Sequence, residues 1–343
     1  MTMAEAKLYL GIDLGGTFVK IGIVDDTGHI CRKYSFPVDQ DEYKTSILDT
    51  AVISTEKVLE STDCLSLSAC PGLAGIGVSA TGQIDPHTGT VVGAAGHIPN
   101  YIGSHIAENF HKAFNLNVAV ANDADCSLLG ECSYGAAQGA RNVIMMTLGT
   151  GVGGGILVDG KLVSGSRGAA GEIGHIIIND DGEKCSCGNK GCLEHYASTK
   201  ALVNKVRKAV SDGSISPSCL NHVSTTAYND LSYINGKTIF EALSDSTCNG
   251  GSDRNVLFNI VDQWENYIAD GLVSLVHIFN PDSIIIGGGV SEAGEMLVGP
   301  IRNKVLNRAM PSFTDGLSIK AAELGNESGM IGAVVNYRHQ FCE

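Results

Sequence analysis

The segment "MMTLGTGVGGGILVDGKL", from Met145 to Leu162, decides the fold class. Gly149, Gly151 and Gly154 give it the spacing G-x-G-x-x-G, which in a dinucleotide-binding fold follows a strand and opens a helix. A strand does precede these glycines, but the residues after them form apolar stretches around an Asp159-Gly160 turn, which is typical of a β-hairpin. Because no helix follows to bind a pyrophosphate, the segment predicts a strand–loop–strand unit.

A second segment with the same plan, "LYLGIDLGGTFVKIGIVDDTGHI", runs from Leu8 to Ile30. A strand that reaches Asp13 is followed by Gly15 and Gly16, and a second strand from Phe18 to Val24 leads into a tight turn. Two copies of one unit indicate an internal duplication, with the two loops facing a shared cleft.

Loops of this kind suit a polyphosphate, because glycine lets backbone N–H groups approach an anion closely. The hydroxyls of Thr17 and Thr150 add donors, and Asp13 is placed to order Mg²⁺ through its water shell. A third glycine run, "SIIIGGGVS", begins at Ser283 and would leave a flat space for a nucleotide's sugar or base. Each loop taken alone could be an ordinary glycine-rich turn, and neither matches the P-loop pattern.

Composition narrows the class of protein. The 343 residues include 43 glycines, and 37 acidic against 23 basic side chains give a net charge of -14, which argues against a nucleic-acid partner. We expect a cytoplasmic chain with no membrane partner, because neither a signal peptide nor a run of 18 apolar residues is seen. In that setting the 11 cysteines favour free thiols and a metal site over disulfides.

A candidate reacting carboxylate lies between the two loops, in "NVAVANDADCSLLGEC". Residues 118–121 predict a buried strand and residues 124–131 a helix, which places Asn122 and Asp123 at the carboxyl end of a strand. Ligands bind at such ends in α/β folds. The alternative for Asp123 is a helix N-cap.

A cysteine cluster follows in "GEIGHIIINDDGEKCSCGNKGCLEHYAS". Cys185, Cys187 and Cys192 fall within eight residues, and His175 lies ten residues before the first of them. Three thiolates and an imidazole form a tetrahedral ligand set that suits structural Zn²⁺. A chance cluster of buried thiols is the alternative.

These motifs resemble those of the ROK sugar kinases, which belong to the actin/hexokinase ATPase superfamily. "DLGGT", "LGTGVGGG" and "IIIGGGVS" are similar to the family's ATP-binding motifs, and the cysteine segment is similar to its E-x-G-H … C-x-C-G-x-x-G-C-x-E pattern. The resemblance covers nearly the whole chain. It implies a duplicated actin-like (ribonuclease H-like) α/β fold with two lobes around a cleft, ATP and Mg²⁺ as cofactors, a structural Zn²⁺ and a homodimer.

The resemblance also implies roles for single residues. Asp123 would be the general base that accepts the proton of the attacking sugar hydroxyl. The sugar would lie against Gly82, Asn122, Asp123, Glu172, His175 and Glu194. Zinc would be held by His175, Cys185, Cys187 and Cys192, so that His175 serves both metal and sugar. The nucleotide and its Mg²⁺ would be held by Asp13, Gly15, Gly16, Thr17, Lys20, Gly149, Thr150, Gly151, Gly153, Gly154, Gly288 and Gly289.

Lobe boundaries and specificity are less determined. We expect a small lobe over 1–121 and a large lobe over 122–343, with a helix over about 328–340 packing back on the small lobe. Many ROK glucokinases carry an N-L-P-G-W-like string where this chain has "HIPNY", from His97 to Tyr101. Glucose is therefore the leading acceptor, but N-acetylmannosamine, mannose and fructose stay open. So do polyphosphate as the donor and a sugar-sensing protein without catalysis.

Overall fold

The computed structural model of the chain describes residues 7–38, 42–61, 72–93, 98–220, 231–244 and 251–342. Within these ranges the chain forms two five-stranded sheets, each covered by helices. Each lobe has its own apolar core: one forms around strands such as Leu8–Leu14, the other around the long helix Gly251–Phe279. This is the two-lobed α/β fold that the resemblance implies.

The first sheet has the strand order β3-β2-β1-β4-β7. Its strands are β1 (Leu8–Leu14), β2 (Phe18–Asp25), β3 (Ile30–Pro37), β4 (Ile76–Ala80) and β7 (Val118–Asn122). The first three form an antiparallel meander, and β4 and β7 join parallel to β1. β4 is buried along its whole length, which explains its apolar and small residues, since helices cover both faces of such strands.

The second sheet repeats this plan in the order β10-β9-β8-β11-β12. Its strands are β8 (Val143–Leu148), β9 (Val152–Val158), β10 (Lys161–Leu162), β11 (Ser283–Gly287) and β12 (Ser318–Ala321). Again three strands form an antiparallel meander and two join in parallel. The predicted duplication is confirmed, and so is the hairpin after Gly154. A small hairpin of β5 (Gln83–Asp85) and β6 (Thr90–Gly93) extends the first lobe.

The helices connect and cover these sheets. They are α1 (Ile47–Glu60), α2 (Ile106–Phe114), α3 (Asp123–Tyr134), α4 (Glu194–Ala197), α5 (Thr199–Ser211), α6 (Gly236–Ser244), α7 (Gly251–Phe279), α8 (Glu295–Arg308), α9 (Pro311–Thr314) and α10 (Ser328–Phe341). Short 3₁₀ turns lie at Ile173–His175, Pro217–Leu220, Gly289–Ala293 and Gly325–Glu327. In the described part of the chain, no helix has the length and apolar character needed to span a lipid bilayer.

Helix α10 packs closely against β1, β4 and α3. Glycine permits this approach, because a Cβ on Gly77 would overlap the Ala333 carbonyl and a Cβ on Gly332 would overlap the Cys126 carbonyl. Helices α3 and α10 therefore lie against each other along their length, and both begin at the cleft between the sheets. This packing brings two helix N-termini to one place.

Candidate active site

A cavity of about 300 Å³ opens between the two lobes. The first lobe contributes the end of β1 and its loop, the second lobe contributes Thr147 and the glycine run after β11, and both α3 and α10 contribute their first turns. Its predicted site residues are Asp13, Gly15, Lys20, Asp123, Gly288 and Gly289. The cavity therefore brings together residues that lie up to 276 positions apart in the sequence (13 and 289).

The electrostatics of the cavity favour an anion. Asp123 and Ala124 from the start of α3 and Ser328 and Gly329 from the start of α10 line it. The first N–H groups of a helix have no partners within the helix, and the helix dipole places partial positive charge there. Two such N-termini beside glycine loops form an arrangement that binds phosphate groups.

Asp13 is held at the end of β1 by two donors. Lys20, its cross-strand neighbour on β2, places Nζ 3.1 Å from Oδ2, and Ser79 Oγ donates to Oδ1 at 3.0 Å. Gly329 is required beside it, because a Cβ there would lie 3.1 Å from Asp13 Oδ1. The carboxylate is thus fixed in direction while it still faces the cavity, as a ligand for the water shell of Mg²⁺ must.

Asp123 is the first residue of α3, and Asn122 is the N-cap. Asn122 Oδ1 accepts the Ala124 N–H at 2.8 Å, and Asp123 Oδ1 accepts the same N–H at 2.9 Å. The Asp123 side chain is accessible from the cleft, yet surrounding protein removes much of its hydration. This desolvation, together with the negative charge of Asp13, raises the pKa of Asp123 to about 6. A carboxylate with this pKa is suited to act as a general base near neutral pH.

The predicted sugar contacts approach Asp123 from both lobes. Asn122 Nδ2 donates to the Gly82 carbonyl at 2.7 Å, where Gly82 adopts a φ of +92°. Gln83 Nε2, next to Gly82, donates to Glu172 Oε1 at 3.1 Å, so β5 and the large lobe are bonded across the cleft. His175 Nε2 lies 3.9 Å from Glu172 Oε2. A polar wall with both donors and acceptors results, as hydroxyl groups of a sugar need.

The four predicted zinc ligands are in place. Their ligand atoms all lie within 4.8 Å of one another, with Cys187 Sγ 3.5 Å from Cys192 Sγ and Cys185 Sγ 3.6 Å from His175 Nδ1. A tetrahedral site with Zn–S bonds of about 2.3 Å needs sulfur atoms about 3.8 Å apart. The residues therefore fit Zn²⁺, with His175 Nδ1 toward the metal and Nε2 toward the sugar wall.

The glycine loops are not part of the cavity lining throughout. Among the described residues, Gly16, Thr17 and the loop Gly149–Gly151 do not line the cavity. Gly153 and Gly154 lie inside β9, where a Cβ would come 2.6 Å from Thr147 Oγ1 in the first case and would overlap the Ile173 side chain in the second. Packing alone explains the last two glycines.

Other residues were not found from the sequence. Thr147, Glu292, Asn326 and Ser328 line the cavity, and no local pattern distinguishes them from surface polar residues. His97, a predicted departure from the family string, lies outside the described residues. Tyr101 from the same string is buried, and its hydroxyl donates to the Thr81 carbonyl at 2.9 Å.

Asp125 faces a second cavity of about 250 Å³ on the same helix as Asp123. That cavity lies between β7, residues 162–168 and the end of α10. Burial, with the negative charges of Asp123 and Glu172, raises the pKa of Asp125 to about 7. The start of α3 therefore carries two carboxylates with raised pKa values, of which only Asp123 faces the phosphate-binding cavity.

Comparison with known proteins places this architecture in a family. Residues 9–339 match the ROK family. A glucokinase from Halalkalibacterium halodurans is 33% identical over 327 residues, which cover 95% of this chain and 93% of the relative. The crystal structure of a ROK glucokinase from Streptomyces griseus with glucose and AMPPNP has a TM-score of 0.74 at 30% identity, covering 95% of this chain and 97% of that one. A xylose repressor from Caldicellulosiruptor bescii is 28% identical, over 95% of this chain and 76% of the repressor.

Proposed function

The chain belongs to the ROK family, and on that premise we propose that it is a sugar kinase that transfers the γ-phosphate of ATP to a hexose. The proposed acceptor is O6 of glucose. The observation that carries the proposal is that Asp123, with a pKa of about 6, shares one anion-binding cavity with Asp13 and the glycines after β11.

The reaction follows from the geometry of these groups. The N-termini of α3 and α10 and the backbone of Gly288 and Gly289 bind the phosphate chain. Asp123 accepts the proton of the sugar hydroxyl as its oxygen attacks the γ-phosphorus, and ADP leaves along the opposite direction. Phosphoryl transfer requires little from the protein beyond this positioning and charge stabilisation.

Two metals support the proposal. Mg²⁺, oriented by the carboxylate of Asp13, would neutralise charge on the phosphates when bound. His175 and the three cysteines would hold Zn²⁺, which has a structural function because four protein ligands leave no open position. Through His175 and the adjacent helix α4, the cluster would fix residues that contact the sugar.

The acceptor is proposed from both the site and the relatives. Gly82, Asn122, Glu172, His175 and Glu194 would bind the hexose hydroxyls, and the glucokinases named above favour glucose. N-acetylmannosamine, mannose and fructose are the competing acceptors, because the string from His97 to Tyr101 departs from the glucokinase pattern. We further propose the lobe boundary near residue 121, a homodimer, and a cytoplasmic place of action.

The test is a coupled assay of ADP release over a hexose panel, with inorganic polyphosphate as a second donor. Glucose with ATP should give the highest kcat/KM, and Asp123→Asn should lose nearly all turnover with every acceptor. A higher kcat/KM with another hexose would move the proposal to that sugar. Sugar binding with no phosphorylation from either donor would instead favour a sensing function like that of the xylose repressor.

A further inference from the structure

Glu194 connects three parts of the molecule. It is the first residue of α4 and lies two residues after the zinc ligand Cys192. Its Oε2 accepts the Val152 N–H at 3.0 Å, and a Cβ on Gly151 would overlap this same oxygen. The carboxylate therefore lies directly against the backbone of the second glycine loop, which needs glycine at position 151 to admit it.

Two neighbouring bonds join the same helices to the same loop. Thr199 Oγ1, at the start of α5, donates to the Leu148 carbonyl at 3.1 Å, and the Lys200 N–H donates to the Gly149 carbonyl at 3.2 Å. The loop itself is closed by a bond from the Gly149 N–H to the Gly151 carbonyl at 3.0 Å. Because glycine restrains the backbone weakly, bonds from outside the loop must set its shape.

We infer that Glu194 is a positioning residue for the nucleotide as well as a sugar contact. By holding the Val152 N–H through Oε2, it fixes the loop Gly149–Gly151, whose backbone donors face the phosphates. Its Oε1 is left for a sugar hydroxyl. Preorganised donors bind a phosphate chain more tightly than donors that must first be ordered. This inference rests on the proposed function and deepens it.

The decisive measurement is the Kd of AMP-PNP with Mg²⁺ in the absence of any sugar. Glu194→Met keeps the length of the side chain without a strong acceptor, and Glu194→Gln keeps a carbonyl oxygen for the Val152 N–H. We expect the Met variant to bind the nucleotide about tenfold more weakly, the effect of one lost charged hydrogen bond. The Gln variant should stay within about twofold of the wild type, although both variants bind glucose more weakly.

Glu172→Met is the matched control, since Glu172 is a proposed sugar contact that bonds to Gln83 on the first lobe. It should weaken glucose binding and leave the Kd of AMP-PNP within about twofold. Thr199→Val removes a second bond between α5 and the loop, should weaken nucleotide binding about threefold, and provides the test if Glu194→Met does not fold.

Two results would overturn the inference: unchanged AMP-PNP affinity in Glu194→Met or, if that variant does not fold, in Thr199→Val; or an equal loss in Glu172→Met. Failure of the wild type to bind AMP-PNP would count against the proposed function instead.

Discussion

Replacing Asp123 with Asn should remove most of the turnover and at the same time stabilise the folded protein at neutral pH. The loss follows from the missing base, and a positioned base contributes about 10² to 10⁴ in rate. Asparagine retains the oxygen that accepts the Ala124 N–H, so the start of α3 is preserved. The gain follows from the carboxylate's position, which desolvation and Asp13 make unfavourable for a negative charge.

The size of the gain comes from the pKa of Asp123, which rises from 3.8 to about 6. A shift of this size corresponds to about 3 kcal/mol if it is taken in full. Because the side chain is accessible from the cleft, water screens the charge, and we expect about 1 kcal/mol. Between pH 3.8 and about 6 the folded state binds more protons than the unfolded state, so this charge costs stability as pH rises and the cost is complete above that window.

Urea unfolding from pH 4 to pH 8, with kcat measured on the same preparations, tests both effects. The variant should be more stable than the wild type at pH 8, and the difference should shrink toward pH 4. Asp125→Asn is the control: its pKa is also raised, to about 7, so the variant should gain stability while its kcat stays within about threefold. An Asp123→Asn protein that keeps more than a tenth of the wild-type kcat, or that gains no stability at pH 8, would refute the reasoning.

Three further predictions follow from the same structure. In the wild type, kcat/KM should fall below pH 6 with a slope of one proton, to about a tenth at pH 5; a flat profile down to pH 5 would contradict the pKa of Asp123. The chain should contain one zinc per polypeptide by elemental analysis, and Cys187→Ser should lower both Tm and glucose affinity, whereas full glucose affinity in a verified zinc-free protein would refute the metal's role. Gly288→Ala should lower the free energy of unfolding by about 2 kcal/mol or more, since φ is +90° and a Cβ would overlap the Leu148 carbonyl; Gly289→Ala, with open space around it, should change stability little in the same urea titration.

The strand pattern could be predicted from the sequence because it is local. Apolar β-branched runs, glycine loops and Asp-Gly turns each fall within a short stretch, and two such stretches predicted the duplicated sheets. The N-cap of α3 could not be assigned in this way: Asp123 was the alternative candidate, and the structure assigns it to Asn122. Asn and Asp cap helices about equally well, so only the geometry distinguishes them.

The reasons for individual glycines were also hidden, because they depend on distant residues. Gly154 belongs to the G-x-G-x-x-G spacing, yet its neighbour Ile173 arrives from the turn that carries His175. Gly151 accommodates Glu194, which comes from the helix after the cysteine cluster. A glycine pattern records that side chains are excluded, but it does not record whether a ligand or another part of the chain excludes them.

The two copies of the strand–loop–strand unit have the same backbone and different chemistry. In the first copy the residue before Leu14 is Asp13, which lies opposite Lys20 on β2. In the second copy the residue before Leu148 is Thr147, which lies opposite Gly153 on β9. A second carboxylate at position 147 would add negative charge to a cavity that already holds Asp13 and Asp123, and would weaken its attraction for a polyphosphate. The symmetric backbone thus forms the cleft, and the asymmetric side chains leave one carboxylate to orient the metal and one to accept the proton.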